Sequence, residues 1–213
     1  MKLGKYIVIE GHDGTGKSTQ VGILRQKLLE NGIESIEFHE PAGNPIADVI
    51  RTILKNGDLD RDPMTDVLLF SAARCDIWKN LALPALDSGI WVVAARNYYS
   101  TQAYQGYGSG LKLDAIESIT RISTDERYIK PDYAFILDLD DEKERAKRIN
   151  NRGKLENPDT FESRPEDFQD RVRQGYLEIA KDRNIPIISA NKPVKNISDE
   201  IWSYIEPDIT NNR

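Results

Sequence analysis

The beginning of the chain contains a pattern whose residue types and spacing suit phosphate binding. An apolar, strand-like run precedes the pattern G-x-x-x-x-G-K-[ST] and a helical pattern follows it, which is the context that such a loop requires. The glycines let backbone N–H groups face phosphate oxygens. Lys17 can reach the transferred phosphate, and Ser18 can ligate magnesium. The residues predicted to hold the phosphates of a nucleotide are Gly11, His12, Asp13, Gly14, Thr15, Gly16, Lys17, Ser18 and Thr19.

Loops of this kind occur in GTPases, motor ATPases and small-molecule kinases. A GTPase is expected to carry an N-K-x-D motif, but the nearest candidate, Asn191 to Val194, ends on valine where the carboxylate belongs. A motor ATPase needs partner domains or a strand-end acid that activates water, and neither is evident in one short acidic chain. A kinase for a small phosphorylated acceptor needs a second, cationic site that faces the loop.

That second site can be assembled from an aromatic ring and three arginines. Phe70 and Arg74 are four residues apart, so they share one helix face and could offer a base a stacking ring and a planar donor fork. Arg51 lies in the middle of another predicted helix. Arg96 directly follows a predicted strand, and strand ends border the ligand crevice of an open parallel sheet. These residues favour the kinase.

The elements that must position these residues alternate along the chain. Short β-branched runs and longer helical patterns predict an α/β fold with a parallel sheet covered by helices on both faces. No repeat or composition break divides residues 1–213, which indicates a single domain. The predicted strands are Tyr6 to Glu10, Glu34 to Phe38, Ile90 to Ala94, Tyr133 to Leu139 and Pro186 to Ser189, and the predicted helices are 17–31, 45–55, 63–86, 112–127, 141–151, 165–183 and 195–205.

Two segments do not fit the regular pattern. A polar stretch with glycine and prolines, about 152–166, is predicted to be a mobile lid, and 206–213 is predicted to be a polar, frayed tail.

Composition excludes several classes of function. Of the 213 residues, 39% are hydrophobic and 30% charged, which is typical of a globular protein rather than a disordered one. The net charge of -6 argues against nucleic-acid and membrane-surface binding. A lone cysteine, Cys75, and two histidines argue against disulfides and thiol- or histidine-built zinc sites. No apolar run is long enough to span a membrane and no signal peptide is evident, so we expect a cytoplasmic protein.

Four segments, in order and at compatible spacing, resemble the thymidylate kinase family. They are Gly11 to Thr19, His39 to Gly43, Leu69 to Arg74, and Arg96 with Ser100 to Gly106. The resemblance extends from Lys5 to about Ala190. It implies a three-layer P-loop kinase fold with a five-stranded parallel sheet and a short lid. It also implies phosphorylation of dTMP to dTDP by ATP with Mg²⁺, and a homodimer formed through helices that flank the sheet.

The resemblance assigns roles in acceptor binding residue by residue. Asp13 would accept the sugar 3′-hydroxyl, and Tyr104 would lie against the deoxyribose and exclude a 2′-hydroxyl. Phe70 would stack on thymine, while Arg74 and Gln105 would hydrogen-bond its edge. Arg51 and Arg96 would hold the acceptor phosphate, and Ser100 and Thr101 would line the far side of the base. The full set implied for dTMP is Asp13, Glu40, Pro41, Arg51, Phe70, Arg74, Arg96, Ser100, Thr101, Tyr104 and Gln105.

On the donor side, Arg145, Arg148 and Arg152 form one basic stripe with helical spacing. By resemblance Arg148 would lie on adenine, and Asn191 and Lys192 would belong to the loop beside it. Gly14 occupies a place where some family members carry an arginine, which implies that a lid arginine is catalytic. The implied catalytic residues are Lys17, Arg96 and either Arg152 or Arg164, and the implied metal ligand is Ser18.

One departure from the family concerns the metal. Thymidylate kinases generally carry Asp-Arg after the third strand, and here the pair is Ala95-Arg96. Asp138 or Glu40 could supply part of the missing charge. Two alternative functions therefore stay open: another deoxynucleoside monophosphate kinase, and a nucleotide-binding relative with weakened catalysis.

Overall fold

The core of the molecule is a parallel sheet whose central strand leads into the phosphate loop. The computed structural model describes residues 3–151, 161 and 164–210. The five strands of the sheet are all parallel and lie in the order β2-β3-β1-β4-β5. They are β1 Tyr6–Gly11, β2 Ser35–His39, β3 Trp91–Ala95, β4 Tyr133–Asp138 and β5 Ile187–Ser189.

Helices cover both faces of this sheet. Two short stretches, π1 (Trp78–Ala82) and π2 (Gln102–Gly108), have π-helical hydrogen bonding. The α-helices are α1 Lys17–Glu30, α2 Pro45–Lys55, α3 Pro63–Ile77, α4 Leu83–Asp87, α5 Tyr98–Thr101, α6 Leu113–Ser123, α7 Glu126–Ile129, α8 Glu142–Asn150, α9 Glu166–Arg183 and α10 Val194–Thr210.

Burial on two sides explains the continuous apolar runs of the strands. All six residues of β1 are buried. Tyr6 and Val8 belong to one core cluster, whereas Ile7 and Ile9 belong to the other, because successive strand residues point to opposite faces. The prediction of a three-layer α/β fold with five parallel strands is therefore confirmed.

Strand register sets the position of the site. In the register of the sheet, Ile9 pairs with Ala95 and Gly11 pairs with Leu137, so the ends of β1, β3 and β4 lie at the same edge. β1 is the central strand, with β3 and β2 on one side and β4 and β5 on the other. The loops that follow these strands border the crevice where ligands bind in folds of this type.

Three predictions about the elements need correction. The predicted helix 63–86 is divided by π1 just before Pro84, which has no N–H to continue the ladder. The sequence pattern predicts no helix over 98–108, yet α5 and π2 form there. The Asn97 side chain accepts from the Tyr99 N–H and so caps α5. The tail prediction is wrong for residues 206–210, because α10 continues to Thr210 and buries Ile209.

Candidate functional site

The loop after β1 has a backbone that only glycine can provide. Gly11 has φ +138°, and a Cβ atom there would lie 2.3 Å from the Leu137 carbonyl oxygen. Gly14 has φ +88°, and its Cβ would meet the side chain of Arg145 on α8 at 3.0 Å. Both positions combine a left-handed conformation with close neighbours, which side chains do not tolerate. The glycines of the motif thus shape a cradle at the N-terminus of α1, where backbone N–H groups favour an anion.

Lys17 is held inside this cradle. Its ammonium donates to the carbonyl oxygens of Gly11 and His12, each at 2.8 Å, and lies 4.0 Å from Asp13. Lys17 is only 6% exposed. A cation on the inner side of a phosphate-binding loop can follow the charge of a transferred phosphoryl group.

A cavity of about 600 Å³ opens beside the cradle. All eleven residues that the resemblance assigns to dTMP line it, together with Lys17 and Ser18. These residues come from loops and helices far apart in the chain. The cavity is also lined by residues to which the sequence analysis gave no role, among them His39, Ala95, Asn97 and Phe161.

At the mouth of the cradle, Asp13 forms an ion pair with Arg96 and accepts a 2.7 Å hydrogen bond from the Tyr104 hydroxyl. Burial alone would raise the pKa of Asp13, but Arg96, Lys17 and Tyr104 together hold that pKa far below its usual range. Burial would lower the pKa of Arg96, and Asp13 raises it well above its usual value. Both groups are therefore charged at all physiological pH values.

Glu10 holds the segment that carries Arg96, and the sequence analysis missed it. Its buried carboxylate accepts from the backbone N–H groups of Asn97 at 2.8 Å and Ser100 at 3.0 Å. It also accepts from the hydroxyls of Ser100 and Tyr176. Arg96 has a φ of 74° and donates to the same two hydroxyls. In the sequence Glu10 is simply the last residue of a predicted strand. No local sequence pattern could have revealed its role.

Arg74 lies in a second buried network that also borders the cavity. Its Nε donates to Tyr128 at 2.7 Å and to Glu40 at 3.1 Å, and its Nη2 donates to Thr101 at 2.8 Å. Burial would lower the pKa of Arg74, but Tyr128 and Glu40 raise it above its usual value, so the guanidinium is charged. Tyr128 had no role in the sequence analysis.

Gln105 and Phe70 both line the cavity. Both the Nε2 and the Oε1 of Gln105 are buried and have no hydrogen-bond partner in the described part of the chain. A buried amide without partners is costly unless a ligand supplies them. Phe70 is half-buried, with its ring 6.1 Å from that of Phe161. Together they offer a planar group a stacking surface and a donor–acceptor pair.

The donor-side residues lie apart from this cavity. Arg148 donates to Glu144 at 2.9 Å and to the carbonyl of Ala190 at 3.1 Å, which brings it to the loop that contains Asn191. Asn191 donates to Asp140. The ammonium of Lys192 pairs with Glu200 on α10 at 2.6 Å. Arg148 and the start of this loop are thus neighbours, whereas the Lys192 ammonium is engaged with α10.

Of the two lid arginines, Arg152 lies outside the described residues. Arg164 is described, and its guanidinium lies 4.8 Å from the Phe168 ring and 5.4 Å from the Phe161 ring. Arg164 is not among the residues that line the cavity. Its neighbour Phe161, however, does line the cavity.

A polar chain connects this segment to the cradle. Gln169 donates to the carbonyl oxygens of Phe161 at 2.8 Å and Arg164 at 3.3 Å, so its Oε1 faces His12 at 2.6 Å. Because the amide nitrogen already donates to two carbonyls, the Nε2 of His12 is the donor in this last bond. Burial lowers the pKa of His12 to about 4, which keeps the ring neutral at pH 7.

The described residues are compatible with a magnesium ion whose ligands come mainly from the phosphates of a nucleotide. No group of three His, Cys, Asp or Glu side chains that could hold a metal occurs among residues 3–151, 161 and 164–210. Asp138 pairs with Arg173 through both oxygens, and Glu40 pairs with Arg74, so both carboxylates considered as substitutes for the missing Asp already have cationic partners. Ser18 lines the cavity beside Lys17. Mg²⁺ keeps several waters and takes phosphate oxygens, so the Ser18 hydroxyl would supply one of its ligands.

Comparisons with known proteins identify the family of the chain. A family model described as thymidylate kinase matches residues 9–201. The thymidylate kinase of Chlorobaculum parvum is 37% identical over 207 residues, which cover 94% of each chain. That of Carboxydothermus hydrogenoformans is 34% identical over 203 residues, covering 95% of this chain and 97% of the relative.

A solved structure shows the same fold. The crystal structure of thymidylate kinase from Ehrlichia chaffeensis aligns with a TM-score of 0.75 and 26% identity, covering 96% of this chain and 99% of that one. Neither alternative function from the sequence analysis is favoured by these matches. The shared fold, the cradle and the extent of the sequence match lead to one conclusion: the chain belongs to the thymidylate kinase family and is a phosphotransferase.

Proposed function

We propose that the chain transfers the γ-phosphoryl group of ATP to dTMP and forms dTDP. The observation that carries the proposal is that one cavity is lined both by Lys17 and Ser18 of the cradle and by all eleven residues expected to bind dTMP. The curated relatives bear the name thymidylate kinase, which supports this choice of acceptor.

Binding of the acceptor follows from the charges and rings of the cavity. Phe70 stacks on thymine, and the unpartnered amide of Gln105 pairs with the edge of the base. Arg51 and Arg96 hold the phosphate of dTMP, while Asp13 accepts the 3′-hydroxyl. Tyr104, whose hydroxyl bonds to Asp13, lies against the deoxyribose. These contacts fix the acceptor phosphate near the cradle, so that catalysis relies mainly on positioning and charge.

On the donor side, the cradle holds the phosphates of ATP and Arg148 lies on adenine. Lys17 exchanges its two carbonyl partners for the oxygens of the transferred phosphoryl group. Ser18 would hold Mg²⁺ together with the phosphates of the nucleotide, and the ion would neutralise phosphate charge. Arg152 or Arg164 supplies the remaining positive charge from the lid.

The deciding experiment is an ADP-release assay with ATP, Mg²⁺ and a panel of acceptors: dTMP, dUMP, dCMP, AMP and GMP, with no acceptor as the control. We expect turnover that is largely confined to dTMP. Turnover with dUMP equal to that with dTMP would indicate another deoxynucleoside monophosphate kinase, and binding of ATP and dTMP without turnover would indicate the weakened relative.

Ala95 allows a test of metal organisation. Ala95 lines the cavity at the end of β3, next to the cradle strand β1. We expect Ala95→Asp to preserve or raise turnover and to lower the Mg²⁺ concentration that gives half-maximal rate, because the new carboxylate would organise the ion. The measurement is a magnesium titration at saturating substrates, with Ala95→Asn as the uncharged control. Identical titrations for all three proteins would contradict this expectation.

We also propose that the enzyme is a cytoplasmic homodimer. The outer faces of α2 and α3 expose Ile46, Val49, Ile53 and Leu68, of which the first three recur at helical spacing. Contiguous exposed apolar residues mark contact surfaces. Sedimentation velocity is expected to give twice the mass of the chain, and Val49→Asp with Leu68→Asp is expected to shift it toward the monomer. In the described residues no helix is long and apolar enough to span a bilayer.

A further inference from the structure

Tyr128 lies behind the base-recognition side of the cavity and does not line it. It is fully buried at the end of α7, and its hydroxyl lies 2.5 Å from Glu40 Oε1 and 2.7 Å from Arg74 Nε. Arg74 and Glu40 both line the cavity. Tyr128 therefore contacts Arg74 and Glu40, which are both expected to touch the acceptor, from the side away from the cavity.

The direction of these hydrogen bonds is determined by the chemistry of the partners. Arginine has five N–H donors and no acceptor, so the Tyr128 oxygen must accept from Arg74. The single hydroxyl proton is then free to be donated to Glu40. Tyr128 thus acts as a fixed link that holds a guanidinium and a carboxylate in one arrangement.

The hydrogen bonds of Arg74 inside the protein occupy two of its three guanidinium nitrogens. Nε donates to Tyr128 and Glu40. Nη2 lies 3.1 Å from Glu40 and donates to Thr101 at 2.8 Å. The remaining nitrogen, Nη1, makes only a 3.5 Å contact with Ser71 among the described residues. Arg74 lines the cavity, and Nη1 is the guanidinium nitrogen with the weakest contact inside the protein, so we infer that Nη1 donates to a ligand.

We propose that Tyr128 is a positioning residue that sets pyrimidine specificity. Tyr128 fixes the plane of the Arg74 guanidinium, so that Arg74 presents an N–H donor to the base. This donor can bond a base carbonyl, as in thymine, but faces another donor when the base carries an amino group, as in cytosine. When a base places its own donor against the Arg74 donor, neither has a hydrogen-bond partner. A buried pair of unpartnered donors is costly, so the site discriminates strongly against such a base. This inference rests on the proposed dTMP kinase function, because it concerns the same cavity.

The test is Tyr128→Phe, which keeps the ring and removes only the hydroxyl. Dissociation constants of dTMP and dCMP are measured by calorimetry, and KM and kcat by the assay above. We expect dTMP to bind about tenfold more weakly, the scale of one hydrogen bond to a charged group. The KM for dTMP should rise by a similar factor with kcat within about threefold, and the preference for dTMP over dCMP should fall.

Tyr6→Phe is the matched control. Tyr6 is equally buried and stacks on Tyr128 with ring centroids 5.7 Å apart, but its hydroxyl has no hydrogen-bond partner among the described residues. We expect Tyr6→Phe to leave both dissociation constants unchanged. A merely structural role of Tyr128 would lower the melting temperature without changing the dTMP to dCMP preference.

The outcomes separate the two proposals. If the wild type binds dTMP but shows no turnover, the proposed function fails, and the calorimetric preference still tests Tyr128. If the wild type prefers dTMP and Tyr128→Phe keeps the same preference and dTMP affinity, the inference about Tyr128 is overturned and the function stands. Should Tyr128→Phe not fold, Tyr128→His, which can bond Glu40 or Arg74 but not both through one atom, is expected to lose the same preference.

Discussion

Replacing Lys17 by methionine is expected to reduce turnover by about 10²- to 10³-fold, the scale of removing one preorganised donor from a transition state. Methionine fills nearly the same volume, which matters because Lys17 is 6% exposed and an alanine would leave a hole. The ammonium donates to the carbonyl oxygens of Gly11 and His12, which places its positive charge inside the cradle. The measurement is kcat at saturating ATP and dTMP.

The dTMP side should be little affected by this change, because Lys17 serves the transferred phosphoryl group rather than the base. We expect the dissociation constant of dTMP, measured by calorimetry, to stay within about threefold of wild type. Lys27→Met on the same helix is the matched control, since Lys27 pairs with Asp199 at 2.9 Å and faces away from the cavity lining. A Lys17→Met enzyme with normal kcat would refute the role of Lys17 in transfer.

Replacing Arg96 by methionine is expected to raise the KM for dTMP and lower kcat together. The substitution removes a phosphate ligand and leaves the Asp13 carboxylate without its closest cation. Losing one partner of a desolvated charge pair typically costs about 2–5 kcal/mol in binding, or roughly 30-fold to several thousandfold in kcat/KM. Arg127→Met, which breaks an exposed pair with Asp87, is the control and should change kcat/KM by less than about twofold.

The same variant should reveal the Asp13–Arg96 pair through the pH dependence of stability. In the wild type the pKa of Asp13 lies below its unfolded value, so its contribution to stability is present above the ordinary pKa of aspartate and is lost as the pH falls. Arg96→Met removes most of that contribution. We therefore expect the difference in free energy of unfolding to be largest near pH 7 and to shrink toward pH 3. Urea denaturation at these two pH values measures it, and a difference independent of pH would contradict the ion pair.

The sequence by itself determined the cradle. Its residues are contiguous, and the geometry depends on local rules: glycines at Gly11 and Gly14 where a Cβ cannot fit, and a helix that begins at Lys17. The apolar runs likewise determined the five strands, because a parallel strand buried on both faces needs apolar residues throughout. No strand boundary differs from the predicted one by more than one residue.

Family resemblance, rather than periodicity, identified the acceptor residues. The tertiary structure gathers all eleven around one cavity. It also shows that most N–H groups of Arg74 donate to Glu40, Tyr128 and Thr101. The resemblance did not indicate these hydrogen bonds.

Only the tertiary structure could reveal the residues that hold the site from behind. Glu10 meets Ser100 across 90 positions, and Tyr128 meets Glu40 across 88. Neither Glu10 nor Tyr128 carries a local pattern, because an isolated glutamate in a strand or tyrosine in a short helix has the same sequence signature whether it packs passively or bonds a residue of the site. Their partners are fixed by the parallel register of the sheet and the packing of helices on it, and those are properties of the whole fold.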